Sequence, residues 1–118
     1  MTDSQPAPAS KTEWQADRSH PEQAKALREA WAEVLDPELG LSIVQLGLIR
    51  EVVIGDSSAE IRMILTTPFC PYGPALLENA RQKAEKALGM PVTMELGSEA
   101  WQTSMMDEEA AADWGLLY

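Results

Sequence analysis

The chain has 118 residues and a mass of 13.0 kDa, which suits one domain, since a second hydrophobic core would need roughly another hundred residues. Nine Lys and Arg against 19 Asp and Glu give a formal net charge of −10. A surface this acidic repels phosphate backbones and anionic lipids, so we expect no nucleic-acid partner and no membrane partner. The single cysteine cannot form an intramolecular disulfide, so we expect a reduced, cytoplasmic protein.

The N-terminal segment differs in composition from the rest of the chain. Residues 1–18 are rich in Pro, Ser, Thr, Gln and Ala and show no apolar period, which predicts a disordered leader. We therefore expect the folded domain to span residues 19–118. Ser19 stands three residues before Glu22, in the spacing of a capping box, and should begin the first helix. Pro37 should end it, because the residue before a proline is pushed out of the helical region.

Five further elements follow in the hydrophobic pattern. Alternating apolar residues predict strands, whereas apolar residues at intervals of three and four predict helices. The predicted segments are strands over 49–54 and 59–65, a helix over 73–88, a strand over 91–96 and a short helix over 104–115. The order α-β-β-α-β-α predicts a small α/β sandwich of the α+β class, with a three-stranded sheet and helices packed on one face.

Cys70 is the residue whose position most suggests chemistry. It falls between a predicted strand and the start of the helix over 73–88, so the positive dipole end of that helix points back toward it. Helix N-termini lower the pKa of a thiol, and the thiolate is the form that binds metals and attacks disulfides. The competing interpretation is a lone cysteine buried as a small hydrophobic residue.

Other polar residues near these turns have two interpretations each. The hydroxyls of Thr66 and Thr67 could bond to a thiolate or a ligand, or they could only close the end of the strand. Asp36 and Glu38 offer carboxylates on either side of a proline, although Asp in this setting usually forms an Asx turn. His20, the one histidine, fits a helix start better than a ligand role. One Cys and one His cannot complete a zinc or four-thiolate site within a single chain.

Three segments in this order resemble a known family. They are DPELG at residues 36–40, IVQLGLI at 43–49 and MILTTPFCP at 63–71. Together they resemble the metal–sulfur cluster biosynthetic family, the iron–sulfur cluster assembly domain of SufT type associated with the sulfur-mobilisation (SUF) machinery. The resemblance covers about residues 24–116. In one departure from the family pattern, Phe69 stands where a small residue precedes the cysteine, and it puts access to the thiol in question.

The resemblance implies an accessory or carrier protein for iron–sulfur cluster assembly and maturation, not an enzyme. It implies that Cys70 is the functional thiol and metal ligand, that Asp36 is the polar residue nearest to it, and that Thr66 is the loop threonine. A single thiolate holds iron or a cluster only by sharing it, so contact would be transient and shared between chains, in a homodimer or with a partner. The implied partners are iron–sulfur scaffolds or client apoproteins.

Two interpretations from other classes stay open at this point. The segment 70–73, Cys-Pro-Tyr-Gly, is similar to the active-site loop of glutaredoxins without the resolving cysteine, so a monothiol exchange enzyme is one alternative. Its weakness is that a hairpin precedes the motif where a strand–helix–strand unit is needed. The other alternative is a non-catalytic interaction module with a core cysteine, in which the acidic C-terminal part, with Trp101 and Trp114, meets a basic partner.

Overall fold

The computed structural model describes residues 13–37, 39–67 and 71–106. These residues form two helices, a β-hairpin, a long helix, a third strand and one 3-10 turn. The bounds are α1 Gln15–Ser19, α2 Pro21–Trp31, β1 Ile49–Ile54, β2 Ala59–Met63, α3 Gly73–Leu88, β3 Val92–Leu96 and the 3-10 turn Thr103–Met105. The predicted α+β class with a three-stranded sheet is confirmed, and so is the predicted span of α3.

The sheet is mixed, with strand order β1-β2-β3. β1 and β2 are antiparallel and joined by a tight turn in which the Gly55 N–H donates to the Ser58 carbonyl at 2.9 Å. The chain then passes through α3 and returns as β3, parallel to β2. Gly89 ends α3 with a φ of 69°, a left-handed conformation that glycine adopts without steric cost. Because β2 and β3 are parallel, their carboxyl ends lie at the same edge of the sheet.

The helices cover one face of the sheet. Buried positions alternate along β2 and over Val52–Ile54 of β1, as expected for a sheet with one face in the core. Nearer the start of β1, a register shift between Ile49 and Glu51 interrupts the alternation. The buried stripe of α2 is Ala24, Leu27 and Trp31, at the spacing of one helix face. The indole N–H of Trp31 donates to the Ala80 carbonyl of α3 at 2.9 Å, so a polar contact inside the apolar layer fixes α2 against α3.

The folded part begins earlier than the predicted boundary at residue 19. Trp14 is buried, and α1 follows it directly. The Trp14 indole N–H donates to the Ile49 carbonyl of β1 at 3.1 Å, and the Arg28 guanidinium lies 3.8 Å from the centre of its ring. One tryptophan in a polar segment produces no apolar period, which is why the pattern missed it. Residues 1–12 of the predicted leader lie outside the described residues.

The ends of two predicted helices also differ from expectation. The first helical segment splits at His20, which is the N-cap of α2 and carries no side-chain cap hydrogen bond, so the predicted Ser19–Glu22 capping box does not form. α2 ends at Trp31, well before Pro37, because Val34 turns into the core and its carbonyl accepts the Ile43 N–H. Of the predicted helix over 104–115, the 3-10 turn is described and residues 107–115 lie outside the described part. No helix in the described part of the chain is long and apolar enough to cross a bilayer.

Candidate functional site

The carboxyl ends of β2 and β3 form one edge of the sheet, and α3 begins beside it. Thr66 and Thr67 follow β2 there, and Gly73 at the start of α3 lies so close to Leu65 that an added Cβ would approach its Cδ1 to 2.7 Å. In α/β structures ligands usually bind at this edge, because a crevice forms just outside the carboxyl ends of the strands. We refer to it as the carboxyl edge.

Asp36 lies in a turn that packs against the carboxyl edge. Its side chain is only 1% exposed, and Oδ1 accepts the Leu39 N–H at 3.1 Å. Its own carbonyl accepts the Gly40 N–H at 2.8 Å. The carboxylate thus orders a local turn through the N–H of the third residue on, whereas the Asx turn expected from the sequence uses the N–H of the second residue on. The turn fixes the carboxylate so that the second oxygen, Oδ2, faces the end of β2.

The second oxygen of Asp36 meets Thr66. The Thr66 hydroxyl lies 3.5 Å from Oδ2, a long and therefore weak hydrogen bond. Two of the residues singled out in the sequence thus come together, although 30 positions separate them. The other two candidate site residues, the thiol Cys70 and the carboxylate Glu38, lie outside the described residues. His20 is not part of this edge, and its Nδ1 lies 2.7 Å from the hydroxyl of its neighbour Ser19.

No side chain of the described residues caps the N-terminus of α3. Tyr72 is the N-cap residue, it makes no side-chain cap hydrogen bond, and the first turn contains no acidic residue. The first N–H groups of a helix have no intrahelical acceptor, and they carry a partial positive charge. α3 has 16 residues, so this end can stabilise a nearby anion such as a thiolate. The helix begins at Gly73, as the sequence predicts.

A cleft of about 470 Å³ opens along the carboxyl edge. Its lining consists of the segment after β2 and the segment after β3, namely Leu65, Thr66, Thr67 and 96–101. Trp101 forms one wall, and its indole N–H donates to the Leu46 carbonyl at 2.7 Å. Leu96 is 56% exposed. The cleft is therefore mainly apolar, with the threonine hydroxyls on one side.

Glu99 anchors the segment that follows β3. Its Oε1 accepts from Arg62 Nη1 at 2.7 Å, and its Oε2 lies 3.9 Å from Arg50 Nε. Sequence reasoning missed this role because the two arginines are far from Glu99 in the chain and nothing in the pattern pairs them. The only sequence signal nearby was Trp101, two residues later, which the sequence suggested as part of a surface for a basic partner.

The described residues alone do not form a complete metal site. No three His, Cys, Asp or Glu side chains within residues 13–37, 39–67 and 71–106 lie close enough to share a metal ion. The edge supplies one carboxylate, two hydroxyls and an apolar wall. A metal ion held here would therefore need further donors besides these described groups.

Comparison with known proteins gives consistent results. The family model of the iron–sulfur cluster assembly protein matches residues 24–95. A protein of Porphyromonas gingivalis named as an Fe–S protein maturation auxiliary factor is 38% identical over 87 residues, which cover 71% of this chain and 83% of that protein. An iron–sulfur cluster carrier protein of Synechocystis is 42% identical over 55 residues, which cover 47% of this chain but only 15% of the carrier.

One solved structure shows the same fold. The chain superposes on a domain of unknown function from Bacillus anthracis with a TM-score of 0.74, covering 84% of this chain and 97% of that one. The two sequences are 23% identical, so this likeness concerns the fold alone. It agrees with the small α+β architecture derived above.

Proposed function

This chain belongs to the iron–sulfur cluster assembly protein family, and on that premise we propose that it is an accessory or carrier protein for the maturation of iron–sulfur proteins. The observation that carries the proposal is the convergence at the carboxyl edge. The Asp36–Thr66 pair, the apolar cleft and the start of α3, which no described side chain caps, meet where the described chain breaks off after Thr67. Its relatives named as an auxiliary factor and a carrier support the same role.

Cys70 is proposed as the thiolate that contacts the cargo. It is bonded to Pro71, one residue before the N-cap Tyr72, so it precedes a helix N-terminus that no described side chain caps. Such a position favours the thiolate over the thiol. The Thr66 hydroxyl and the Asp36 carboxylate are proposed to lie near the sulfur, with the carboxylate held in place by the Leu39 N–H.

Iron or an iron–sulfur cluster is the cargo in this proposal and is bound only in passing. A four-thiolate site needs more sulfur than one chain supplies, because the sequence contains one cysteine. The cargo is therefore shared, with a second copy or with a scaffold or client protein. Two copies would provide two thiolates. We therefore propose that the chain dimerises when iron is bound, which sedimentation measures.

An enzyme of the glutaredoxin type is a poorer fit to the fold. The sheet begins with the antiparallel hairpin β1–β2, where that fold would need a strand–helix–strand unit before the thiol loop. Relatives are named as an auxiliary factor and a carrier. We therefore propose a role without catalytic turnover, and a glutathione mixed-disulfide assay with no turnover above a Cys70→Ser control is the expected result.

Anaerobic reconstitution with ferrous iron and sulfide tests the proposal. We expect the wild type to acquire iron and visible absorbance, and Cys70→Ser to acquire neither. The double variant Cys70→Ser, Ser104→Cys is the matched control, because it keeps one thiol per chain but moves it to the exposed 3-10 turn. Equal iron in the wild type and in either variant would contradict a role for Cys70.

A further inference from the structure

The outer edge of β3 has hydrogen-bonding groups that the sheet does not use. The Ala59 N–H donates to the Pro91 carbonyl, and the Gly97 N–H donates to the Met63 carbonyl. With the parallel register of β2 and β3, these bonds direct the N–H and C=O of Thr93 and Glu95 toward β2. The same groups of the alternate residues, Val92, Met94 and Leu96, point outward.

Only one outward position of β3 has a partner among the described residues. The Val92 N–H donates to Glu85 Oε2 of α3 at 3.0 Å. No described residue bonds to the outward groups of Met94 or Leu96. A strand edge in this condition is a template for pairing with another chain.

The opposite edge of the sheet is covered. There the Trp14 indole N–H binds the Ile49 carbonyl, and Glu51 Oε1 accepts the N–H groups of Gln15 and Val52 at 2.7 and 2.9 Å. The N-terminal segment therefore occupies the edge of β1. The two edges differ in kind: one is closed by the protein's own residues, and the other is open in the described part of the chain.

Apolar side chains lie beside the open edge. A groove of about 410 Å³ runs between α3 and β3, and Pro74, Leu77, Val92 and Met94 contribute its apolar lining. Farther along the strand, Leu96 is 56% exposed and also lines the cleft at the carboxyl edge. A strand added at β3 would cover these side chains and would lead directly to the cleft.

The charges beside the open edge indicate what kind of strand fits it. Glu95 is exposed on the open face of the sheet, and no ion pair joins it to a described residue. In the groove, Arg81 pairs with Glu78 and Glu85, and its hydrogen bond to Glu78 holds the pKa of that carboxyl at about 2. The chain as a whole carries −10. An incoming strand therefore meets an unpaired carboxylate on one face and apolar groups on the other.

We propose that the outer edge of β3 is a docking site for an extended segment of a partner protein in which apolar residues alternate with Lys or Arg. Main-chain bonds to Met94 and Leu96 provide the pairing, as in other cases of strand addition. The basic residues face Glu95, and the apolar residues cover Leu96 and the groove. Only the identity of the partner rests on the proposed function: the partner would be an iron–sulfur scaffold or client protein that docks next to the carboxyl edge.

A second copy of the chain fits this edge less well. If two β3 strands paired antiparallel so that Met94 and Leu96 bonded to each other across a twofold axis, the two Glu95 side chains would lie directly opposite. Like charges at opposed positions destabilise a strand pair, and two chains of −10 repel each other further. A basic partner removes both obstacles.

The test uses amide hydrogen exchange with a capped peptide, acetyl-Thr-Val-Lys-Val-Lys-Val-Thr-amide, as the probe. On binding, we expect exchange at the Met94 and Leu96 amides to slow by about tenfold or more. Exchange at Thr93 and Glu95 should change little, because their amides already bond to β2. The protein used is iron-free Cys70→Ser, so the result is independent of metal binding and of the proposed thiolate.

Two controls separate strand pairing from charge attraction. N-methylation of the peptide on the edge that faces β3 should abolish binding, whereas N-methylation on its other edge should not. Leu96→Pro removes an outward N–H and should therefore weaken binding. The fold should survive this change, because proline is tolerated at such edge positions. Leu96→Ala keeps the N–H donor and is the matched control. Glu95→Lys should switch the preference to a peptide with Glu in place of Lys.

Several results would overturn the docking site. They are no binding of the peptide, binding without slower exchange at Met94 and Leu96, or equal binding of both N-methylated peptides. Slower exchange at the same amides with rising protein concentration and no peptide would assign the edge to a second copy instead. Loss of iron binding in the reconstitution experiment would leave this site intact, so the two proposals fail separately.

Discussion

The Thr66 hydroxyl lies 3.5 Å from Oδ2 of Asp36, and this contact joins the turn after α2 to the end of β2. The carboxylate is 1% exposed and is also held by the Leu39 N–H. A buried carboxylate that orders its own turn gives the carboxyl edge a fixed wall beside Thr66. Asp36 thus has a structural role in addition to the role proposed for it near the thiol.

Removing the Asp36 carboxylate should destabilise the fold more than removing the Thr66 hydroxyl. Asp36→Ala leaves the half-buried Leu39 N–H without this acceptor, so we expect a loss of about 1–3 kcal/mol in the free energy of unfolding. Thr66→Val loses only a long hydrogen bond and should cost less than about 1 kcal/mol, and Thr66→Ser should be close to wild type. Urea denaturation measures all three. An Asp36→Ala variant as stable as the wild type would contradict the role of the turn.

Gly47 should tolerate alanine far less well than Gly40 does. Both residues have a φ of 73°, so alanine at either position carries the backbone strain of a left-handed residue, about 1–2 kcal/mol. At Gly47 the added Cβ would also collide with the Met105 carbonyl, whereas at Gly40 it meets nothing within 4 Å. We expect Gly47→Ala to lose about 3 kcal/mol or more. Equal thermal stabilities would show that the 3-10 turn does not pack against this loop.

Trp14 should contribute to stability as a core residue. Trp14→Ala should cost about 3–5 kcal/mol, as for other large buried side chains. Trp14→Phe keeps most of the apolar area but leaves the Ile49 carbonyl without its indole donor, so we expect about 1–2 kcal/mol. Chemical denaturation compares the two variants. If both variants unfold at the same denaturant concentration as the wild type, the N-terminal segment is not part of the fold.

The ion pair of Asp17 should make stability depend on pH at the acid end. Burial raises the pKa of Asp17, but hydrogen bonds from Arg28 and from the Trp14 N–H lower it by more. The pKa therefore lies below its ordinary value of 3.8. The pair therefore stabilises the fold above about pH 4 and loses this effect as the pH falls through the lowered pKa. Asp17→Asn should be less stable than the wild type at pH 7, and the difference should shrink toward pH 3.

The sequence could predict the elements whose residues repeat at a fixed period. The apolar stripe and the final Gly89 gave α3 its observed bounds, and alternation gave β1 and β3 to within one residue. The segment at 13–19 could not be predicted in this way, because a single buried Trp14 carries no period. Its burial depends on the Ile49 carbonyl and on Arg28, which only the folded chain brings near.

The same limit applies to the carboxyl edge. Sequence reasoning selected Asp36 and Thr66 one at a time, and the resemblance related both of them to Cys70. The contact between the first two follows from the packing of the turn against β2, which no local pattern encodes. The role of Glu99 was missed for the same reason, since its two arginines stand on different strands. The prediction that Cys70 lies beside Asp36 remains a prediction.

Alkylation of Cys70 in the native protein, followed against pH with and without ferrous iron, tests the proposed thiolate most directly. The account predicts that the alkylation rate reaches half its maximum at a pH below the ordinary thiol pKa of about 8.5. It also predicts a slower reaction when iron is bound anaerobically. A rate that follows an ordinary thiol, or that becomes measurable only in urea, together with no effect of iron, would contradict it.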